Sequence, residues 1–354
     1  MKKVVLFFAL AVGLLVSATT MAQVNMSRYI TLTVANGAAI RLTFIAAADG
    51  TPVRIVSGSN TQDTTVGTNK WTGITSYTAG TTMTVYGDIT GFNCSGNGAN
   101  LTAIDPSHNT QLKILYCSGN QLTSLDVSNN TQLTMLNCGN NKLSSLDVSN
   151  NTQLTMLNCY DNSLNSLDIS QNTQLTELDC SSNQLSSLDI SHNTQLTKLY
   201  CYDNNFTTAT LDDIYCALPD RTSETNGVIQ PVYNSLSSNH ATVLATNAQN
   251  AIDKNWKVQY YDNDTDISAT TGKHECSATT DIAEASAEPA LTLYPNPVAD
   301  VLYLSATART IRVYNIYGTE VAHATNTDKV EVSHLPAGVY TVRADGTVAK
   351  MVKR

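Results

Sequence analysis

Charge is scarce in this sequence. Only 14% of its 354 residues are Asp, Glu, Lys or Arg, and acids outnumber bases 29 to 20, for a net charge of −9. A nucleic-acid surface needs basic patches to neutralise phosphates. None occurs, so no nucleic-acid partner is expected. Catalytic signatures are missing too: there is no G-x-S-x-G elbow, no H-E-x-x-H pair and no phosphate-binding loop. The six His lie far apart, and His108 and His192 share a turn position with Asn or Gln. Metal sites want close Cys or Cys/His spacings such as C-x2-C, which the eight Cys do not offer. No enzyme, no metal and no cofactor are expected.

Long apolar runs are also lacking, with one exception. Lys2 and Lys3 precede the apolar stretch Val4 to Val16, and Thr20-Met21-Ala22 offers small residues before Gln23. The run is too short to span a bilayer comfortably. It reads as a secretory signal peptide over 1–22. No Cys follows the cleavage point, so no lipid anchor is expected.

What the sequence has in abundance is repetition. Leu112, Leu133, Leu154, Leu175 and Leu196 recur every 21 residues. Each is followed in register by Leu115, Leu136, Leu157, Leu178 and Leu199, then by Cys117, Cys138, Cys159, Cys180 and Cys201. Next come Asn120, Asn141, Asn162, Asn183 and Asn204, then Leu122, Leu143, Leu164, Leu185 and Phe206. This is the leucine-rich-repeat pattern L-x-x-L-x-L-x-x-N-x-L, with Cys at the third apolar position. One such coil cannot bury its apolar side alone; stacked coils bury it against each other. The Cys column, with Cys94 from a divergent first coil, is expected as a buried ladder of free thiols, since Cys packs as a small apolar group. Bridges between in-register strands would be strained, because the Cβ atoms stand too far apart. The Asn column is expected to point inward and bond backbone of its own and neighbouring coils.

Asp105, Asp126, Asp147, Asp168 and Asp189 recur on the return side. They are expected to accept backbone N–H bonds in Asx-type turns. The weaker alternative is a calcium column, which would need six to eight oxygens per ion. Asn109, Asn130, Asn151, Asn172 and Asn193 are expected to shape the next turn in the same way.

The fold class expected is mainly β: a leucine-rich-repeat solenoid with a small N-terminal β cap and a C-terminal Ig-like β-sandwich. Alternating runs in 23–88 give the cap. The solenoid covers 89–261 and ends in irregular coils, with helices expected over Thr210–Asp220 and His240–Asn255 and strands at "VIQPVY" and "WKVQYYD". A polar linker is expected over 262–288. Cys276 either stays free or pairs with Cys216. Residues 289–354 form a compact β-domain, with turns at Pro295, Asn296 and Pro297 and hairpins at Gly318 and Gly338.

Two resemblances add to this. "YPNPVAD" (Tyr294 to Asp300), "VYNIYG" (Val313 to Gly318), "LPAGVY" (Leu335, Pro336 to Tyr340) and the basic end "KMVKR" lie in order at the end of the chain. The segment resembles the C-terminal sorting domain of type IX secretion cargo in Bacteroidota. That resemblance implies a partner in the type IX secretion machinery, removal of the domain, and either release or attachment to outer-membrane lipopolysaccharide. The repeats resemble those of internalin-J-like surface proteins, which implies attachment or partner binding.

The residues between the buried ones on each strand face the concave side. There Tyr116, Tyr160, Asp161, Asp179, Lys198, Tyr200, Tyr202 and Asp203 are the candidate ligand contacts, because Tyr supplies rigid amphipathic contact area. The function expected is an exported adhesin or host-interaction factor binding an unknown protein or glycan. The alternative is a self-associating structural or biofilm component.

Overall fold

The computed structural model describes residues 23–68, 70–78, 80–267, 270–276, 293–315, 320–344 and 347–354. The expected signal peptide and Gly318 lie outside them. The chain divides into two compact units, 1–277 and 278–354.

Five three-residue strands carry the regular coils: Ile114–Tyr116, Met135–Asn137, Met156–Asn158, Glu177–Asp179 and Lys198–Tyr200. They pair in parallel, residue for residue at the 21-residue period. The sheet continues past both ends. Gly227–Val232 and Trp256–Tyr260 extend it in parallel at the C-terminal side. On the other side, Ile89–Asn93 pairs in parallel with the first regular coil, then antiparallel with Ala39–Ala46, which pairs with Thr72–Thr78. The result is one ten-stranded sheet.

The N-terminal cap is therefore built into the solenoid. Its other sheet has the order Asn60–Val66, Thr51–Ser57, Thr82–Tyr86, Tyr29–Val34 and Leu101–Asp105. That last strand is the return side of the first coil. One hydrophobic core runs without a break from Ile30 to Ile267. The strand edge and apolar end that a solenoid would expose are thus covered by main-chain pairing and by packing together.

Inside the coils, every repeat Leu and all six ladder Cys are buried. The thiols are free. Burial pushes Cys94, Cys138 and Cys201 up to about 12 and holds Cys117, Cys159 and Cys180 well above the ordinary thiol range. The Asn column ties coils together. The Asn162 amide nitrogen donates to the carbonyls of Cys138 and Cys159 (both 3.1 Å), and its oxygen accepts from the Leu143 N–H at 2.9 Å. Asn120, Asn141, Asn183 and Asn204 likewise donate to the Cys carbonyls of two successive coils.

The second Asn column differs from expectation. Asn109, Asn130, Asn151, Asn172 and Asn193 are fully buried. From Asn130 onward each side chain donates twice to carbonyls in the preceding coil, as Asn151 does to Val127 and Asn130. It is a second internal ladder, with the amide oxygens left unpaired among the described residues. The Asp column stays on the surface. Each Asp Oδ1 accepts the N–H of the Ser two residues on, at 2.9–3.0 Å.

Two expectations change at the C-terminal end. The single helix over His240–Asn255 is two short ones, His240–Leu244 and Gln249–Ile252. Between them the Thr246 hydroxyl bonds back to the Val243 carbonyl and the Asn247 N–H goes to Asp212, both competing with helical continuation. The helix at Thr208–Ala217 forms, capped by Thr207. The linker begins later than residue 262, because Ile267 is buried in the core, Thr271 and Gly272 donate to Leu244 and Thr246, and Cys276 is disulfide-bonded to Cys216.

The C-terminal unit is a small β-sandwich with its own core around Leu302, Ile311, Val313, Val342 and Met351. Strands Val301–Tyr314, Glu320–Glu331, Gly338–Ala344 and Thr347–Lys353 pair antiparallel. Tyr294-Pro295 and Asn296-Pro297 are cis. Asn296 fastens this turn to the last strand, donating to the Lys350 carbonyl and accepting from the Val352 N–H, both at 2.8 Å. Tyr340 donates to the Pro336 carbonyl at 2.8 Å. Gly338 marks no hairpin: it opens a strand, opposite Lys353.

Candidate functional site

The strand residues that do not point inward form the concave face. Their two columns are not uniform along the solenoid. At the N-terminal end stand Ile114, Tyr116, Met135 and Met156, all half-buried. The Trp71 ring lies 5.7 Å from that of Tyr116 and also covers Gly91, where a Cβ would come within 3.1 Å of it. This half is uncharged, with apolar side chains in one column and Asn137 and Asn158 following Tyr116 in the other. Tyr116 belongs to it and not to the other candidate tyrosines.

The C-terminal half gathers aromatic rings and carboxylates. Tyr202 is 7% exposed, and its ring centroid lies 4.5 Å from that of Tyr261 and 5.5 Å from that of Tyr233. Tyr233 and Tyr261 are 5.6 Å apart and each 40% exposed. Tyr200 meets Tyr261 edge-on at 6.0 Å. Tyr160 leans the other way, over the Gly139 backbone, where a Cβ would come within 2.2 Å of its ring. Glycine is needed there for the ring to lie flat on the strand.

Asp179 is buried among these rings. Its Oδ1 accepts from the Ser181 N–H at 3.1 Å and the Ser181 hydroxyl at 2.6 Å. Burial nevertheless raises its pKa from the ordinary carboxylate value, against the pull of Ser181. Burial, with Glu177 and Asp179 adding to it, lifts the Tyr200 phenol to about 12. Tyr160 and Tyr202 are raised by burial first, with Asp179 contributing to each. Lys198 is exposed and pairs with Glu177 at 3.4 Å.

Asp161 and Asp203 have a backbone reason for being where they are. Their column reads Gly119, Asn140, Asp161, Ser182 and Asp203, and every member has φ between 51° and 66°. Gly, Asn and Asp tolerate that left-handed region best. Both Asp are exposed, so they line the rim of the patch while serving the turn.

Position 200 aligned with Gln230, which occupies the next strand in the same column, is a continuation that repeat counting does not reach. Tyr233, Tyr261, Gln230 and Asp264 all come from the irregular C-terminal coils. The one sequence signal for them is the aromatic run "YY" after the last strand. Among the described residues no group of three His, Cys, Asp or Glu is arranged to hold a metal ion, and no helix is long and apolar enough to cross a membrane.

Comparison with known proteins adds the following. Residues 292–354 match the family described as Secretion system C-terminal sorting domain, and residues 110–151 match Leucine Rich repeats in two copies. No curated protein matches the chain. Among solved structures, an internalin (InlF) from Listeria monocytogenes is 27% identical over 36% of this chain and 37% of its own, with a TM-score of 0.33. This chain thus spans little more than a third of that one. The functional domain of InlJ from Listeria monocytogenes, which includes a cysteine ladder, is 21% identical over 75% of this chain and 67% of its own, with a TM-score of 0.30. A leucine-rich-repeat protein of Leptospira interrogans is 28% identical over 32% of this chain and 31% of its own, with a TM-score of 0.30. The chain carries leucine-rich repeats and a type IX sorting tail, which places it outside the cell or on the outer-membrane surface once the tail is removed.

Proposed function

We propose that this protein is a surface or secreted adhesin that captures a macromolecular ligand on the C-terminal half of its concave sheet. The observation that carries the reading is the cluster of Tyr200, Tyr202, Tyr233 and Tyr261 rings packed beside buried Asp179. Exposed Tyr gives contact area at low entropic cost, and rings that already buttress one another lose little further freedom on binding. The candidate residues Tyr160, Asp161, Lys198 and Asp203 border this cluster; Tyr116 serves the uncharged half. The sorting tail delivers the face to the cell exterior, and lipopolysaccharide attachment would hold it there.

The test is a screen of the chain from residue 23 to 354, sorting tail included, against extracellular-matrix proteins, host-cell glycans and the surface of the producing cell. Specific capture that is lost on Tyr233→Ala/Tyr261→Ala replacement supports the reading. Capture that survives that replacement moves the site elsewhere. Binding only to itself, with concentration-dependent oligomers, replaces the adhesin by a self-associating surface component.

A further inference from the structure

The same tyrosine cluster specifies the chemistry of what it holds. We propose that it receives a cationic, donor-rich group of a protein partner, an arginine side chain of a basic segment, between the Tyr200, Tyr202, Tyr233 and Tyr261 rings and the Asp179 carboxylate. This rests on the concave-face reading and narrows it.

Three independent features point that way. The first is unbalanced charge. Asp161, Asp179, Asp203 and Asp264 take part in no ion pair among the described residues. Of the nearby cations, Lys198 is held by Glu177, and Lys257 stands two strands further out in the outer column. Asp179 is the telling member, because a buried carboxylate without a cation carries a desolvation cost that a positive ligand removes.

The second feature is an unanswered acceptor. Gln230 sits beside Tyr200 in the same concave column and is 2% exposed. Its amide nitrogen donates to Asp264 Oδ1 at 2.8 Å and to the Tyr260 carbonyl at 3.3 Å. Those two acceptors fix which end of the amide is which. Its Oε1 then has no partner among the described residues. A ligand that completes this set must bring a hydrogen-bond donor, and guanidinium and ammonium groups supply donors without adding an acceptor.

The third feature is the rings. Tyr faces attract a cation, and a planar guanidinium both stacks on them and forks onto a carboxylate, which favours arginine over lysine. Sugar recognition would also use rings and carboxylates, but it would not call for an excess of unpaired negative charge.

The test uses the chain from residue 23 to 354, sorting tail included, and a fluorescein-labelled Arg-Gly-Arg-Gly-Arg peptide, with the citrulline peptide of the same shape as its neutral counterpart. Fluorescence anisotropy is read at physiological ionic strength. The arginine peptide is expected to bind about tenfold more tightly than the citrulline peptide, the range of one desolvated cation–π and carboxylate contact. Asp179→Asn keeps the side-chain shape and should remove most of that difference. Asp168→Asn on the return side makes the same change in net charge and should leave it intact. Equal loss in the two variants would reduce the effect to overall charge and overturn the proposal, as would equal binding of the two peptides. If neither peptide binds while a ligand from the surface screen is still lost on Tyr233→Ala/Tyr261→Ala replacement, the cation assignment fails and the concave-face reading stands. If that replacement leaves ligand capture intact, the concave-face reading fails as well.

Discussion

Leu115, Leu136, Leu157, Leu178 and Leu199 occupy one side of five short strands, and Ile114, Met135, Met156, Glu177 and Lys198 begin the other side of the same strands. The first set never changes; the second shares almost nothing from end to end. An inward residue packs against its own copy in the coils before and after, so a change in one coil is felt in three. An outward residue meets neighbours that change from coil to coil, as Lys198 meets Glu177, and is not held to one residue type. Repetition in this molecule therefore marks what stacking requires, and variation marks where a ligand can be read.

The sharpest way to break the comparison is to disturb an inward position. Leu157→Ala should cost about 3 kcal/mol, within the 2–5 range for a buried Leu, measured by urea unfolding. A loss below about 1 kcal/mol would mean that neighbouring coils close the gap and that stacking constrains less than argued. Next in size is Asn162→Ala, which orphans the Leu143 N–H and takes one of two amide donors from each of the Cys138 and Cys159 carbonyls, which keep Asn141 and Asn183. About 2 kcal/mol is expected from unsatisfied buried groups.

The ladder thiols offer a chemical reading. With burial holding them protonated at neutral pH, all six should be inert to a thiol reagent in the folded protein and react together on unfolding. Labelling of the native state would contradict the ladder. On the outward side, Tyr261→Ala should change stability by less than about 1 kcal/mol, as for other partly exposed positions, while weakening ligand capture.

The smallest effects concern pH, and the two faces should respond with opposite sign. Asp179 has a raised pKa in the fold, so it favours the folded state when protonated; that contribution is present below its unfolded value of 3.8 and is lost as pH rises through the folded value. Asp179→Asn should therefore flatten that loss and add stability at neutral pH. The return-side Asp126, Asp147 and Asp168 are lowered by their Ser partners. Their contribution is present above 3.8 and fades as pH falls through the folded values. Asp147→Asn should flatten this acid limb, seen in melting curves from neutral pH down to strong acid.

The inward half of the molecule was legible in the sequence because period and burial are the same signal. The Leu, Cys and first Asn columns could be placed by counting to 21. The second Asn column was visible as a column but not as a ladder, since a turn Asn and a buried Asn look alike without the carbonyls of the coil before it. The outward half was legible only in part. Tyr200 and Tyr202 follow from the period, but Tyr233, Tyr261 and Gln230 arrive from irregular coils, where no spacing predicts which rings meet. The antiparallel junction of Ala39–Ala46 with Ile89–Asn93 was hidden for the same reason: strand pairing between unlike segments leaves no repeat to read.

The bridge between Cys216 and Cys276 decides where a pull on the C-terminal side of the first unit enters its fold. Tension entering the first unit from its C-terminal side reaches Cys276 and crosses to Cys216 on the helix Thr208–Ala217. The segment spanned by that 60-residue separation is taken out of the line of force. Strands Gly227–Val232 and Trp256–Tyr260, together with Tyr233 and Tyr261, lie inside the bypass. With the bridge reduced, the same pull would peel Thr271 and Gly272 from Leu244 and Thr246 and then strip the last strand from the sheet. Oxidised, the end plate that completes the tyrosine cluster is spared the pull that enters from the C-terminal side of the chain.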